Sequence, residues 1–138
     1  MPLQRNYRFV FKNELNDSIQ ADQLTLNGRR WKFVAGDISY EASETLLHNQ
    51  TGLLVDNAFI ATTGIDNSTD KFLGGSFEIR CEATGASTSG DLVCYYETST
   101  DGGTQFDQEG DLTVGDNGRI VSVLSMNTVG TGVKSFRV

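Results

Sequence analysis

Ser76-Phe77-Glu78-Ile79-Arg80-Cys81-Glu82 alternates apolar with charged or polar side chains at every step. Successive side chains of an extended strand point to opposite sides of the pleat, so a period of two marks a strand with one dry face and one wet face. Phe77, Ile79 and Cys81 are expected to face a core, and Glu78, Arg80 and Glu82 to face water. Residues 84–90, rich in Gly, Ser and Thr, then read as a loop that returns the chain to a second inward set, Leu92, Cys94 and Tyr96. An antiparallel hairpin over residues 77–97 is the expectation.

Working outward, the second strand runs into Thr98-Ser99-Thr100-Asp101-Gly102-Gly103-Thr104-Gln105-Phe106. Each residue of this turn has a mechanical use. Ser99 and Asp101 can accept hydrogen bonds from turn N–H groups. Gly102 and Gly103 tolerate positive φ. Phe106 can fold back onto the sheet. Towards the N-terminus, residues 24–33 contain Asn27-Gly28 between two alternating runs, which predicts a type I′ hairpin with Leu24 opposite Trp31. Leu24, Leu26, Trp31 and Phe33 would then share one face. Residues 112–123 repeat the pattern around Asn117-Gly118, with Asp116 and Arg119 as a flanking ion pair. Further strands are expected at 7–12, within 51–62 and at 131–138. Helical periodicity is weak throughout, and 17–23 is its best, poor candidate.

Many short alternating strands separated by turn signals every ~8–12 residues point to an all-β fold, an antiparallel β-sandwich of Ig-like or jelly-roll type. The 138 residues suit one domain with a real core. Residues 1–23 read as an N-terminal strand or extended arm, and 24–138 as the sandwich. Tyr7, Phe9 and Phe11 alternate on one side of that arm. They are the expected interface residues, because a sticky strand can dock on a neighbour by strand addition.

The formal charge is −7, and 21 % of residues are charged. Such a surface repels phosphate backbones and anionic lipids, so neither nucleic acid nor membrane is an expected partner. No apolar stretch follows the first residues as a signal peptide would require, and none approaches the ~20 residues of a membrane helix. A product kept in the cytoplasm, or assembled there into something larger, is the expectation.

Chemistry-bearing patterns are sparse. His48 is the single histidine, so multi-histidine metal sites are excluded, and no Gly-x-Ser-x-Gly elbow accompanies it. It reads as a solvent-facing loop residue. Gly130-Thr131-Gly132-Val133-Lys134-Ser135 lacks the Gly-Lys step of a phosphate loop. Asp107, Glu109 and Asp111 are the best candidates for calcium, at spacings that also suit an ordinary turn. Cys81 and Cys94 read most simply as two buried thiols; a cross-strand disulfide is the alternative if their strands are neighbours. Among the aromatics, Tyr95 projects opposite Cys94 and Tyr96 and is the best candidate for stacking on a sugar. No nucleophile–base pair, cofactor motif or metal cluster stands out, and the chain is expected not to be an enzyme.

Two resemblances follow from these residues. Ser99-x-Asp101-x-Gly103-x-x-Phe106 is similar to the Asp-box hairpin of sialidase-like propellers, with Phe in place of the usual Trp. That box recurs once per blade, whereas here it occurs once in a short chain, so no sialidase activity is implied. The stretch from Leu73 onward resembles small all-β virion proteins of tailed bacteriophages. The likeness lies in Gly74-Gly75-Ser76-Phe77, the polar loop after it, and Gly90-Asp91-Leu92-Val93-Cys94-Tyr95-Tyr96-Glu97 leading into Ser99-Thr100-Asp101-Gly102-Gly103. It implies a structural subunit, as capsid decoration or cement, neck or collar piece, or tail component. Such a subunit would be homo-oligomeric, bound to other virion proteins, and without cofactor. A carbohydrate-binding module for host-surface attachment, with a surface glycan as partner, is the alternative.

Overall fold

The computed structural model describes residues 3–85, 89–99, 101–104, 106, 119–127 and 129–138. Every regular element among them is a strand: β1 (Asn6–Glu14), β2 (Leu24–Val34), β3 (Asp37–Tyr40), β4 (Thr45–Asn49), β5 (Phe59–Ala61), β6 (Ile65–Asp66), β7 (Gly74–Ala83), β8 (Gly90–Ser99), β9 (Arg119–Met126) and β10 (Gly130–Arg137). They form two antiparallel sheets packed face to face. Sheet 1 has the order β5-β1-β8-β9, with β6 also on β1. Sheet 2 has the order β10-β7-β2-β3, with β4 also on β2. The fold is an antiparallel β-sandwich, and the edge strands β9 and β10 lie against each other where the sheets meet.

Alternation places the core. In β7, Phe77, Ile79 and Cys81 are buried; in β8, so are Leu92, Cys94 and Tyr96. β1 contributes Tyr7, Phe9 and Phe11 and β2 contributes Leu24 and Leu26, all fully buried. Phe9 is the hub. Its ring centroid lies 5.0 Å from that of Phe77 and 5.9 Å from that of Phe136, both in the opposite sheet, and 5.6 Å from that of Tyr96 in its own. Such tilted and edge-on contacts suit the aromatic quadrupole.

Three expectations and one alternative need correction. First, β1 is not an arm. It runs antiparallel along β8 from Asn6↔Ser99 to Glu14↔Asp91, and β5 and β6 take its other edge. A strand with both edges paired and its aromatic face in the core offers nothing to a neighbour, so Tyr7, Phe9 and Phe11 are core residues rather than an interface. Second, Asn27-Gly28 is not a turn. β2 passes straight through it and pairs with β7 from Leu24↔Cys81 to Trp31↔Gly74. That ladder outweighs the local turn preference. Gly28 is required for close approach, since a Cβ there would stand 2.8 Å from the Phe77 ring and 2.9 Å from Leu47. The chain reverses later, at Ala35-Gly36, with φ of 52° and 92° and Val34 opposite Asp37. Positive φ at both central residues is the type I′ requirement. Consequently Trp31 and Phe33 face away from Leu24 and Leu26.

Third, β7 and β8 are not a hairpin. They lie in different sheets, so the loop between them crosses the sandwich. Fourth, the disulfide alternative falls, because Cys81 and Cys94 sit on separate layers; both are free, buried thiols, as the simpler reading of the sequence has it. Burial pushes the Cys81 thiol up to about 12 and raises Cys94 as well, which suppresses thiolate reactivity. The Leu112–Val114 side of the second predicted hairpin, its Asn117-Gly118 turn and the Asp116 partner of Arg119 fall outside the described residues.

Truncating the hub should be severe. Phe9→Ala is expected to lower unfolding free energy by about 3–5 kcal/mol, read by urea titration of the purified chain. An unchanged midpoint would show that Phe9 is not in the core.

Candidate functional site

Three places concentrate polar chemistry or unsatisfied surface. The first is the turn after β8. Ser99 Oγ donates to Asp101 Oδ1 (2.7 Å), the Gly103 N–H donates to Ser99 Oγ (2.9 Å) and the Thr104 N–H donates to Asp101 Oδ1 (3.0 Å). Gly102 and Gly103 adopt φ of 79° and 92°. Phe106 is buried and folds back over the outer face of sheet 1, where the Arg8 guanidinium carbon lies 4.3 Å from its ring centroid. Gly64 makes room for it, since a Cβ there would come within 2.8 Å of the ring. Beneath, Arg8 Nε donates to Glu97 Oε2 at 2.7 Å, and Nη2 lies equally near in a charge contact rather than a hydrogen bond. Arg8 and Glu97 are directly opposed across β1 and β8 and both are buried. The turn is thus clamped to the sheet by a stacked, paired arginine. Its groups are occupied with one another, which is the behaviour of a structural turn rather than of a reactive site.

The second place is Arg30. Because β2 is continuous, Arg30 lies on the side of Leu24 and Leu26, at the edge of the core. It donates to Glu41 through Nε (2.9 Å) and Nη2 (2.6 Å), and its guanidinium carbon stands 4.5 Å from the Phe72 ring centroid. Burial opposes the Glu41 carboxylate, but the bonds from Arg30 outweigh it and hold the carboxyl below its ordinary range. Burial also raises the Tyr7 phenol, whose oxygen is 3.5 Å from Arg30 Nη1. A bidentate pair with an aromatic lid stabilises geometry and leaves no group poised for proton transfer at neutral pH.

The third place is the outer side of the β2–β3 hairpin. Trp31 opposes Tyr40 and Phe33 opposes Ile38, so all four side chains share one face. Trp31 and Phe33 meet edge to face at 5.8 Å, and Trp31 lies against Gly74. Phe33, Ile38 and Tyr40 are 56 %, 54 % and 56 % exposed, while the neighbouring Val34 points to the other face of the strand. Scattered exposed apolar residues are ordinary, whereas a cluster on one face of a hairpin is a candidate interaction surface. Sequence reasoning missed it by closing the hairpin eight residues early. The signal was present in Asp37-Ile38-Ser39-Tyr40, which continues the alternation after Gly36.

The other sequence candidates are placed as follows. Tyr95 is on the outer face of sheet 1 but half-buried, its ring 6.4 Å from Phe59. His48 is not solvent-facing: it is half-buried, 5.7 Å from the Phe11 ring, with Nε2 at 3.2 Å from Gln50 Oε1. Asp107, Glu109 and Asp111 lie outside the described residues. Among the described residues no group of three or more His, Cys, Asp or Glu side chains is arranged to hold a metal ion. No protein-family model matches the chain, and no curated protein and no solved structure does either.

His48 supplies a pH signature. Burial lowers its pKa below the ordinary 6.5, so the unfolded chain binds this proton more readily than the folded one. The His48 contribution to stability is complete above pH 6.5 and is lost as pH falls from there towards the lower folded value. The slope cannot exceed about 1.4 kcal/mol per pH unit. Glu41 is also lowered, but from a lower reference, so its loss begins only near pH 4.5 and below. Urea midpoints across pH 7 to 5 should fall for the wild type and flatten for His48→Gln. Equal slopes would assign the loss to other groups.

Proposed function

We propose that the chain is a non-enzymatic structural subunit of a tailed-bacteriophage virion, as capsid decoration or cement, neck or collar piece, or tail component. It assembles in the host cytoplasm with copies of itself and with other virion proteins. The observation that carries this reading is the apolar outer face of the β2–β3 hairpin, at the edge of sheet 2. There one edge of β3, beside Phe33 and Ile38, is unpaired among the described residues, so a partner gains both apolar burial and main-chain hydrogen bonds. Specific protein interfaces bury upwards of ~1,000 Å² in total, more than this cluster alone supplies. Contact would therefore extend from the hairpin along the edge of sheet 2. The sequence resemblance supplies the virion context, and the surface supplies the means of assembly. The contact residues differ from those the sequence suggested, because β1 is committed to its own core.

Phe33→Asp combined with Ile38→Asp removes the proposed contact without touching the core. The double variant is expected to keep the wild-type circular dichroism and thermal midpoint while its incorporation into purified particles, quantified by mass spectrometry, falls about tenfold or more, corresponding to at least ~1.4 kcal/mol of contact energy. Absence of the wild-type chain from purified particles would overturn the virion reading. Normal incorporation of the variant would overturn the hairpin as its contact.

A further inference from the structure

Beside the apolar cluster the outer face of sheet 2 dips into a groove of about 310 Å³. Its low points are two serines, Ser76 on β7 and Ser135 on β10, set among the taller Arg29, Tyr40, Glu44 and Glu78. The sheet places these groups. Arg29 is opposite Ser76 across β2 and β7, and Ser135 is opposite Glu78 across β10 and β7. All four of those side chains project from the same outer face, and Tyr40 adjoins them from β3. The Arg29 guanidinium carbon lies 5.6 Å from the Tyr40 ring centroid, and its Nε is fixed by the Glu41 carbonyl at 2.9 Å. The terminal Arg29 nitrogens and the Glu44 carboxylate have no partner among the described residues. The groove thus combines an exposed aromatic plate, an oriented set of donors, carboxylate acceptors and two hydroxyls.

We propose that this groove is a binding site for a neutral monosaccharide unit of a glycan. The Tyr40 ring would take the apolar face of the pyranose, and Arg29, Glu44 and Glu78 would take its hydroxyls. Several observations narrow the class. Arg29, Glu44 and Glu78 line the groove, with Arg80 Nη2 3.7 Å from Glu78 Oε1 and Arg137 opposite Ser76, so charges of both signs are interspersed and no field of one sign selects a phosphate, sulfate or uronate. The described carboxylates do not converge in a metal-holding group. A volume of 310 Å³ is at the small end of ligand sites and suits one sugar ring rather than a peptide. A polyol also matches the lining because each hydroxyl both donates and accepts, so guanidinium, carboxylate and serine are all satisfied by one ligand type. Tyr95, the residue the sequence favoured for this role, is half-buried against Phe59, whereas Tyr40 is 56 % exposed and carries the Arg29 guanidinium over only one face of its ring. The site does not depend on the chain residing in a virion.

The test uses the isolated full chain and four probes: the methyl glycosides of glucose, galactose, N-acetylglucosamine and rhamnose, with methyl glucuronide as the charged comparison. Saturation-transfer NMR at millimolar sugar should show transfer from at least one neutral glycoside and less from the glucuronide. Amide shifts in the labelled chain should be confined to the neighbourhoods of Arg29, Tyr40, Glu44, Ser76, Glu78 and Ser135. Tyr40→Ala should weaken binding about tenfold or more, equivalent to ~1.4 kcal/mol. Tyr40→Phe, which keeps the plate, should retain it. Tyr40 and Glu44 are exposed, so Tyr40→Ala and Glu44→Ala should fold normally, and the Glu44 change gives a second, independent loss. No transfer from any of the four, transfer unaffected by Tyr40→Ala, or strongest binding by the glucuronide would overturn the proposal. The Phe33→Asp, Ile38→Asp variant should bind as the wild type does, which separates failure here from failure of the assembly face.

Discussion

The contact between the Phe9 ring and those of Phe77 and Phe136 is the constraint on which the rest of the structure depends. Phe9 comes from sheet 1, the other two from sheet 2, and Phe77 and Phe136 stack on each other at 5.4 Å. Two sheets are held at a fixed separation and register only if side chains from both inner faces interlock, and aromatic rings do this with much area and little conformational freedom. From that contact follows the position of β1 inside sheet 1, because a strand that supplies the hub cannot also swing free. The need for Gly28 also follows, since the same Phe77 ring occupies the space a side chain there would take.

Polar groups close the structure at its ends. Asn13 is fully buried, and its amide donates to the carbonyls of Asp17 (2.7 Å) and Leu54 (3.0 Å) while its oxygen accepts from the Leu15 N–H. Asn67 acts in the same way, donating to the Phe72 carbonyl and accepting from the Phe72 N–H, both at 2.8 Å. Buried backbone groups in irregular loops must find partners, and one asparagine can serve two or three. Large apolar side chains stay exposed at several places, Leu46, Leu53 and Ile120 among them, and the outer face of the β2–β3 hairpin brings Phe33, Ile38 and Tyr40 together.

The class of fold was legible because alternation is local. Phe77, Ile79 and Cys81, and again Leu92, Cys94 and Tyr96, could be assigned to a core from spacing alone. What failed was non-local. Asn27-Gly28 is a good hairpin turn in isolation, and only the ladder with β7 keeps it extended. The loop after Ala83 looked like a simple hairpin loop, since nothing in its composition reveals that it crosses between sheets. The error at Asn27-Gly28 then spread, because a turn reverses which residues share a face: it placed Trp31 and Phe33 with Leu24 and hid the exposed cluster. The Arg8–Glu97 pair was illegible for a related reason. Its partners are 89 positions apart and meet only through the register of β1 on β8.

The body packs an aromatic core between its two sheets and leaves one hairpin apolar on the outside. That division rests on β1 being interior. Hydrogen–deuterium exchange of the isolated chain, resolved to individual amides, tests it most directly. Amides of Tyr7, Phe9 and Phe11 should exchange as slowly as the slowest amides of β7 and β8, through global unfolding. Exchange at β1 as fast as at the Ala35-Gly36 turn would show a detached arm and contradict the account.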